Sequence, residues 1–472
     1  MKHLTFLLSF FVILACEAPT ELSKLEDPLK HLLDPSLKPF YYGVASGDPL
    51  QDAVIIWTKV SPEDSLKQIE VEWNLATTDQ FDEIVAKGTV TTSPDDGYTV
   101  KVDVKGLTAG TRYYYRFIYN EQVSMIGRTI TATHESAKNI NLAVVSCSNY
   151  EFGPFNAYGA IAERDDLNAV LHLGDYIYEY GERGYGDTTT GRFHFPKHEI
   201  VSLLDYRTRY AQYRTDADLR EAHQMHPFIT IWDDHEIANN SYKTGAQNHQ
   251  SEKEGDYEVR KATAKKAYYE WLPVRPGKEL YRSFDYGNIA QLIMLDERLT
   301  GRTAPVASVS DPIINREGRA MLGDAQLSWF KEQLSNSNAT WKIIGNQVIF
   351  SYLDWGYPNY KLNMDSWDGY PGERAAILDY FEVNEIDNVV FVTGDTHSSW
   401  ALEVTDDPFG SYAEKGALAV EYGTTSVNSA NSNEGYGTTD EMVIEHEQNI
   451  TGAPSNPQLK YTNMRDHGYL EL

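Results

Sequence analysis

Four short stretches of this chain end in side chains that can bind cations or move protons. "VVSCSNY" carries Cys147, and "GDYIYEY" carries Asp175 and Tyr178. "WDDHEIANN" carries Asp233, Asp234, His235, Glu236 and Asn240, and "TGDTHSSW" carries Asp395 and His397. Taken singly, each has a bland reading. A free cysteine is most often a small buried hydrophobe, and Asp after Gly is common in turns. The acids behind "FITIW" are harder to dismiss, because buried ionisable groups are costly unless paired or bound to a cation. Together, thiolate, phenolate, carboxylate, amide and imidazole argue for a shared metal centre. Cysteine, tyrosine and histidine beside carboxylates suit a trivalent, Lewis-acidic ion such as iron better than magnesium. The hard oxygens of Asp175, Asp234, Asn240 and Asp395 suit divalent ions, calcium included. A carboxylate such as Asp175 can bridge two ions. Two ions about 3.5–4 Å apart clamp the attacking and leaving oxygens of an in-line displacement, which favours phosphoryl transfer to water.

Such a centre needs a frame that brings four strand ends to one edge. From 138 to 472, strand-like runs ("INLAVVSCSN", "FITIWDDHE", "IAQLIMLDER", "WKIIGNQVIF", "NVVFVTGDTH") alternate with helical ones ("FNAYGAIAERDD", "AQLSWFKEQLSNS", "PGERAAILDYFEVNE"). This pattern predicts a layered α/β domain, and in such sheets the carboxyl ends of the strands form the ligand crevice. Residues 38–134 read instead as short strands between Gly, Asp and Ser turns, including the hairpin-like "TVKVDVKGLTAGTRYYYRFIYN". About a hundred residues of this kind suggest an immunoglobulin or fibronectin type III sandwich, acting as support or substrate rim.

The whole chain sets outer bounds. Its 472 residues suffice for two or three domains, and 41 Lys+Arg against 69 Asp+Glu leave a net charge of -28. That charge opposes nucleic acid as a stable partner and repels anionic headgroups. The start, "MKHLTFLLSFFVILACEAP", is a basic end followed by an apolar run too short to span a bilayer as a mature helix, and reads as an export signal. Its "ILAC" resembles a bacterial lipoprotein signal. The expectation is a signal peptide over 1–15, acylation of Cys16, a tether over 16–37, and a lipid-anchored place in the cell envelope, periplasmic or outer surface. With Cys16 acylated, the chain holds no disulfide partner for Cys147, which is then a free thiol, a metal ligand or a nucleophile.

The order "SCSN", "GDYIYEY", "WDDHEIANN", "TGDTHSSW" resembles the PhoD-type alkaline phosphatases, within the metallophosphoesterases. Supporting matches include "YYGVASGDPLQDAVIIWTKV", "YRTRYAQYR", "LGDAQLSWF", "WKIIGNQV", "WDGYPGER" and the closing "NPQLKYTNMRDHGY". The resemblance implies an αββα catalytic domain, iron (Fe3+) with one or two calcium ions, and a phosphate-ester substrate. It places the family's metal-binding cysteine on Cys147, its bridging aspartate on Asp175 and its iron-binding tyrosine on Tyr178. Asp234 takes the place of the Asn in the commoner Gly-Asn-His-Glu motif and His235 that of its histidine. Asn240 matches a position read as a calcium ligand, and Asp395 and His397 complete the centre. Many relatives carry a twin-arginine export signal, and this leader has none, so iron loading before export is in question.

The expected reaction is hydrolysis by in-line attack of metal-bound hydroxide, without a covalent intermediate, for phosphate acquisition. His235 would protonate the leaving oxygen, or else orient Asp234. Arg207 or Arg214 would hold a phosphate oxygen, or else form a surface or interdomain salt bridge. A phosphodiesterase or phospholipase-D-like enzyme on the same metals, with other divalent metals in play, and a non-enzymatic surface binding protein are the alternatives. A monomer is expected.

Overall fold

The computed structural model describes residues 28–63, 67–134, 137–410, 412, 416–435 and 437–472. The leader, Cys16 and the start of the expected tether lie outside the described residues. Residues 28–37, the end of that tether, form two 3-10 turns against the body, with Leu29 fully buried and the His31 ring edge-on to Phe195.

The N-terminal strands are β1 (Val44–Gly47), β2 (Ala53–Lys59), β3 (Ile69–Ala76), β4 (Ile84–Thr92), β5 (Thr99–Lys105), β6 (Arg112–Tyr119), β7 (Gln122–Val123) and β8 (Gly127–Ile130). Next come β9 (Leu142–Val145), helix α1 (Asn156–Ala162), β10 (Ala169–His172), α2 (Leu203–Tyr213), α3 (Ala217–Met225), β11 (Pro227–Thr230) and α4 (Tyr257–Trp271). The rest is β12 (Arg282–Tyr286), β13 (Ala290–Met294), α5 (Gly323–Asn336), β14 (Trp341–Asn346), α6 (Pro371–Val383) and β15 (Val389–Thr393). The chain closes with β16 (Ser399–Val404), β17 (Ala419–Gly423), α7 (Asp440–Ile450), β18 (Leu459–Asn463) and β19 (Leu470–Glu471).

These strands form three sheets. The first runs β19-β9-β10-β11-β1-β2-β5, and the second β12-β13-β14-β15-β17-β16-β18. The third, antiparallel, runs β4-β3-β6-β7 with β8 also on β6. Strand β1 pairs in parallel with β11, so the N-terminal strands β1, β2 and β5 continue the sheet that carries β9 and β10. The division at 134–138 expected from the sequence is therefore crossed by a continuous ladder. Sequence pattern explains the difference between sheets. In β3 the exposed Glu70 and Glu72 flank buried Val71, the alternation of a strand with one wet face. In β2, β9, β10 and β15 every residue is buried, as expected for strands covered on both faces.

The second sheet alternates between two cores. Leu292, Met294, Ile343, Val390 and Val392 join the large core shared with the first sheet. Ile293, Ile344, Val389 and Phe391 point the other way, onto Phe330 and Leu334 of α5 and Ile377 and Phe381 of α6. The two mixed sheets thus face each other, with helices beyond. Strands β9, β10, β11, β1 and, in the second sheet, β13, β14, β15 and β17 run parallel to their neighbours. Their carboxyl ends open toward one rim.

Candidate metal centre

Every chemical side chain singled out from the four motifs sits in the loop just past a parallel strand. Cys147 lies beyond β9, Asp175 and Tyr178 beyond β10, Asp234, His235 and Asn240 beyond β11, and Asp395 and His397 beyond β15. The loops are tied to each other through the backbone. The Cys147 amide donates to Gly174 O at 3.1 Å, the Ser148 amide to Asp175 O at 2.9 Å, and the Ser429 amide to Cys147 O at 3.2 Å. Gly174 shows how tight this is: a Cβ there would come 2.3 Å from the Asp233 backbone nitrogen. Left-handed backbone recurs at the side chains in question, with φ of 60° at Cys147, 56° at Asp175, 53° at Asn240, 63° at Asp395 and 54° at His397. Each such residue costs of order 1–3 kcal/mol and persists where the surroundings impose it, which is typical of functional sites.

The side chains converge. Cys147 Sγ donates to Asp175 Oδ2 at 3.4 Å, and Tyr178 OH donates to the same oxygen at 3.1 Å. Tyr178 OH is also 3.2 Å from His397 Nε2 and accepts from Ser429 Oγ at 2.8 Å. His397 is held from behind through Nδ1, 2.9 Å from Ala430 O. Three groups have potential ligand atoms within 4.8 Å of one another: Cys147, Asp175 and His397; Asp175, Asp234 and His235; Asp233, Asp234 and Asp395. Asp175 and Asp234 each belong to two groups, so the three form one chain of sites. Asn240 joins through its backbone, whose N–H donates to Asp234 Oδ2 at 2.5 Å.

Several partners of this cluster carry no motif of their own. Arg298, fully buried beyond β13, donates to Asp233, to Asp365 at 2.6 Å and to Asp395 at 3.0 Å. Arg302 closes on Asp365 from the other side. Glu179 accepts from His235 Nδ1 at 2.6 Å, from the Asn239 amide at 2.7 Å and from Asn248 Nδ2 at 2.8 Å. Glu236 does not face the cluster openings. It accepts the backbone N–H of Asp175, Tyr176 and Asp233 and so fixes the two loops. Arg207, expected to hold a phosphate oxygen, instead makes a fork with Glu270, both bonds 2.7 Å, and donates to Asp95 O. Its alternative Arg214 donates to Tyr42 O and Val44 O and lies over the Trp57 ring. Both arginines bind the N-terminal strands to the α-helical layer. The arginine that reaches the cluster is Arg298.

The electrostatics test whether the cluster fits cations. Burial pushes the Asp233 carboxyl up to about 8 and Asp395 up to about 7, with Arg298 opposing. Burial and the carboxylates of Asp234 and Asp233 drive Asp175 well up. Burial, then Asp175, raises the Cys147 thiol and the Tyr178 phenol. Among the clustered aspartates Asp234 is the one held low against burial, by Arg298 and His235. Burial holds His397 down at about 4, neutral and ready to donate a lone pair. His235 goes the other way: despite burial, Glu179, Asp234 and Asp175 hold it as an imidazolium. Protons therefore stand where positive charge is lacking, and Asp233 Oδ2 is buried with no hydrogen-bond partner. A multivalent cation would replace those protons, so the residues fit metal.

The family comparison agrees with this geometry. Residues 142–472 match the model of the PhoD-like phosphatases, and residues 30–133 that of their N-terminal domain. The chain belongs to the PhoD-like phosphatase family. It is 35% identical over 449 residues to alkaline phosphatase D of Bacillus subtilis (strain 168), covering 90% of this chain and 74% of that protein. It also superposes on a solved structure of PhoD with a TM-score of 0.81 and 33% identity, over 93% of this chain and 85% of that one. As a PhoD-like phosphatase it is a hydrolase of phosphate esters, and dependence on metal follows from the family together with its clustered acids and histidines.

Proposed function

We propose that this PhoD-like phosphatase is an exported, lipid-anchored enzyme that hydrolyses phosphate esters by in-line displacement with water, in the service of phosphate acquisition. The sharing of Asp175 carries the reading: its carboxylate stands in one group with Cys147 and His397 and in a second with Asp234 and His235. On this reading Cys147, Asp175, Tyr178 and His397 hold iron(III), while Asp175, Asp234, Asn240 and Asp395 hold one or two calcium ions. When bound, these ions supply Lewis acidity that neutralises phosphate oxygens and eases the loss of a proton from water.

The chain's own residues do the rest. Glu179 takes the Nδ1–H of His235, which fixes the ring and leaves Nε2–H as the donor to the departing oxygen. Arg298 keeps Asp233, Asp365 and Asp395 in register around one guanidinium. The buried Tyr178 and Cys147 exclude water from behind Asp175. The third sheet, packed on β1, β2 and β5 through Val71, Leu75, Val54 and Ile56, is read as an immunoglobulin- or fibronectin-like sandwich whose second layer is shared with the catalytic sheet. One chain supplies the whole cluster, so a monomer suffices. Anchoring through Cys16 rests on the leader sequence, and Cys16→Ser should move the protein from the membrane to the soluble fraction.

Asp175→Asn tests the centre. Hydrolysis of mono- and bis-(p-nitrophenyl) phosphate should both fall by at least about 100-fold, since the bridging charge is lost, and elemental analysis should show less iron. Unchanged turnover would refute the site, and the ratio of the two wild-type rates decides between monoester and diester preference. Cys147→Ala should lose iron and activity together.

A further inference from the structure

A cleft of about 690 Å³ opens directly on the metal cluster, with Asp395 and His397 in its floor. Its walls include Tyr185, Trp355, Tyr357, Tyr360 and Met442 beside the polar Asn363, Ser432 and Thr438, and among the described residues no lysine or arginine lines it. The aromatic side is built, not incidental. The hairpin that carries it is closed by a Tyr357–Tyr360 bridge and by the Trp355 amide donating to Lys361 O at 2.7 Å. Gly356, at φ 74°, permits the turn, and a Cβ there would meet Ile450 of α7 at 2.6 Å. The Tyr357 ring stacks on His446 of α7 with centroids 4.3 Å apart and planes 12° apart, and Trp355 stands edge-on to Trp400 at 5.3 Å. Tyr357 and Tyr360 are nonetheless 41% and 46% exposed, large ring faces toward solvent beside a buried ionic site. Exposed apolar surface rimming a site marks binding of an apolar group.

Resting on the phosphatase reading of the same site, we propose that this cleft receives the organic group of the ester and selects a flat, uncharged aromatic group. The charge pattern directs the choice. A polyanionic group, such as a chain of further phosphates, finds no lysine or arginine among the described residues of the cleft and meets Asp395 and a net charge of -28. A flat ring finds faces at fixed angles, and aromatic contacts of this kind change affinity by about tenfold. The volume accommodates one or two rings beyond the phosphorus, within the range of small-molecule clefts.

Benzyl phosphate and propyl phosphate test this, because both release primary alcohols and differ mainly in the ring. With the metal-loaded protein, the KM of benzyl phosphate should be about tenfold lower at similar kcat. Tyr357→Ala and Tyr360→Ala should each raise the benzyl KM several-fold more than the propyl KM and so shrink the preference, while Tyr357→Phe and Tyr360→Phe retain it. Binding of the non-hydrolysable benzylphosphonate, by calorimetry, should weaken in the same two alanine variants. Equal KM values for the two esters, equal losses on both esters in the variants, or a preference for phosphocholine abolished by the same substitutions would each overturn the proposal. If the wild type hydrolyses no ester at all, the phosphatase reading fails, and benzylphosphonate binding still reads the cleft by itself.

Discussion

Cys147 illustrates what single residues decide here. A thiol raised by burial and by Asp175 is a poor nucleophile, and its hydrogen bond to Asp175 points it into the cluster. This agrees with the proposed role of a ligand rather than a nucleophile. The same logic applies to His235, whose chemistry depends on Glu179. Glu179→Gln keeps the shape but removes the carboxylate that sustains the imidazolium. A general acid acts only while protonated, so activity is lost as pH rises through its pKa. The substitution lowers that pKa, and the alkaline limb of kcat/KM should move to lower pH, with kcat falling roughly 10- to 100-fold and metal content unchanged. An unmoved limb would assign His235 to orienting Asp234. Arg298 is a second case. Arg298→Met leaves Asp233, Asp365 and Asp395 without their shared cation, and removing one partner from a buried ionic group costs about 3–5 kcal/mol. Thermal denaturation of metal-stripped protein should show a large loss, and added calcium should recover more stability in the variant than in the wild type.

At the level of elements, the sequence shows why some of the site was legible. Cys147, Asp175, Asp234 and Asp395 each follow a fully buried, mainly apolar strand within a few residues, so the switch to polar residues marks both the strand end and the side chain. Arg298 follows β13 in the same way, in "IMLDER", but an arginine among acids in a turn looks like a solvated ion pair. Glu179 sits within "GDYIYEY" yet its role depends on His235, 56 positions away. Asp365 and Ser429 lie in long loops whose course only the tertiary structure gives. Arg207 misled for the converse reason: α2 gives no sign of whether a buried arginine faces the cluster or Glu270. The clamp it forms is testable. Arg207→Ala should lower stability by about 1.5–3 kcal/mol, through loss of the charged fork, with Lys266 still pairing Glu270, and leave KM unchanged at a temperature where the protein is folded. A raised KM with unchanged stability would return Arg207 to the substrate.

At the scale of the whole molecule, a strand ladder crosses the boundary that the sequence reading drew. Composition changes sharply near residue 134, from short alternating strands to α/β rhythm, and that change predicts separate units. Strand pairing cannot be read from composition, and the Ser46–Pro227 and Gly47–Phe228 register joins the two halves into one sheet. Other ties cross the same seam. Arg282 forks onto the buried Asp48, Arg275 onto Asp103, and Trp57 Nε1 donates to Glu270 O at 2.7 Å. Side chains of β2, β5, β6, β9, β10 and β11 share one apolar core. A chain joined in this way should unfold as a unit, because opening the N-terminal strands exposes the edge of β11 and half of the common core. Calorimetry of the metal-loaded protein should therefore show one transition, with calorimetric and van't Hoff enthalpies equal. Chelation should shift that transition down as a whole: cations bind the folded cluster alone, and at a thousandfold excess over Kd each contributes about 4 kcal/mol. Two resolved transitions, with only the later one sensitive to chelator, would instead mean that the sheet across the seam is a docking contact between independently stable domains.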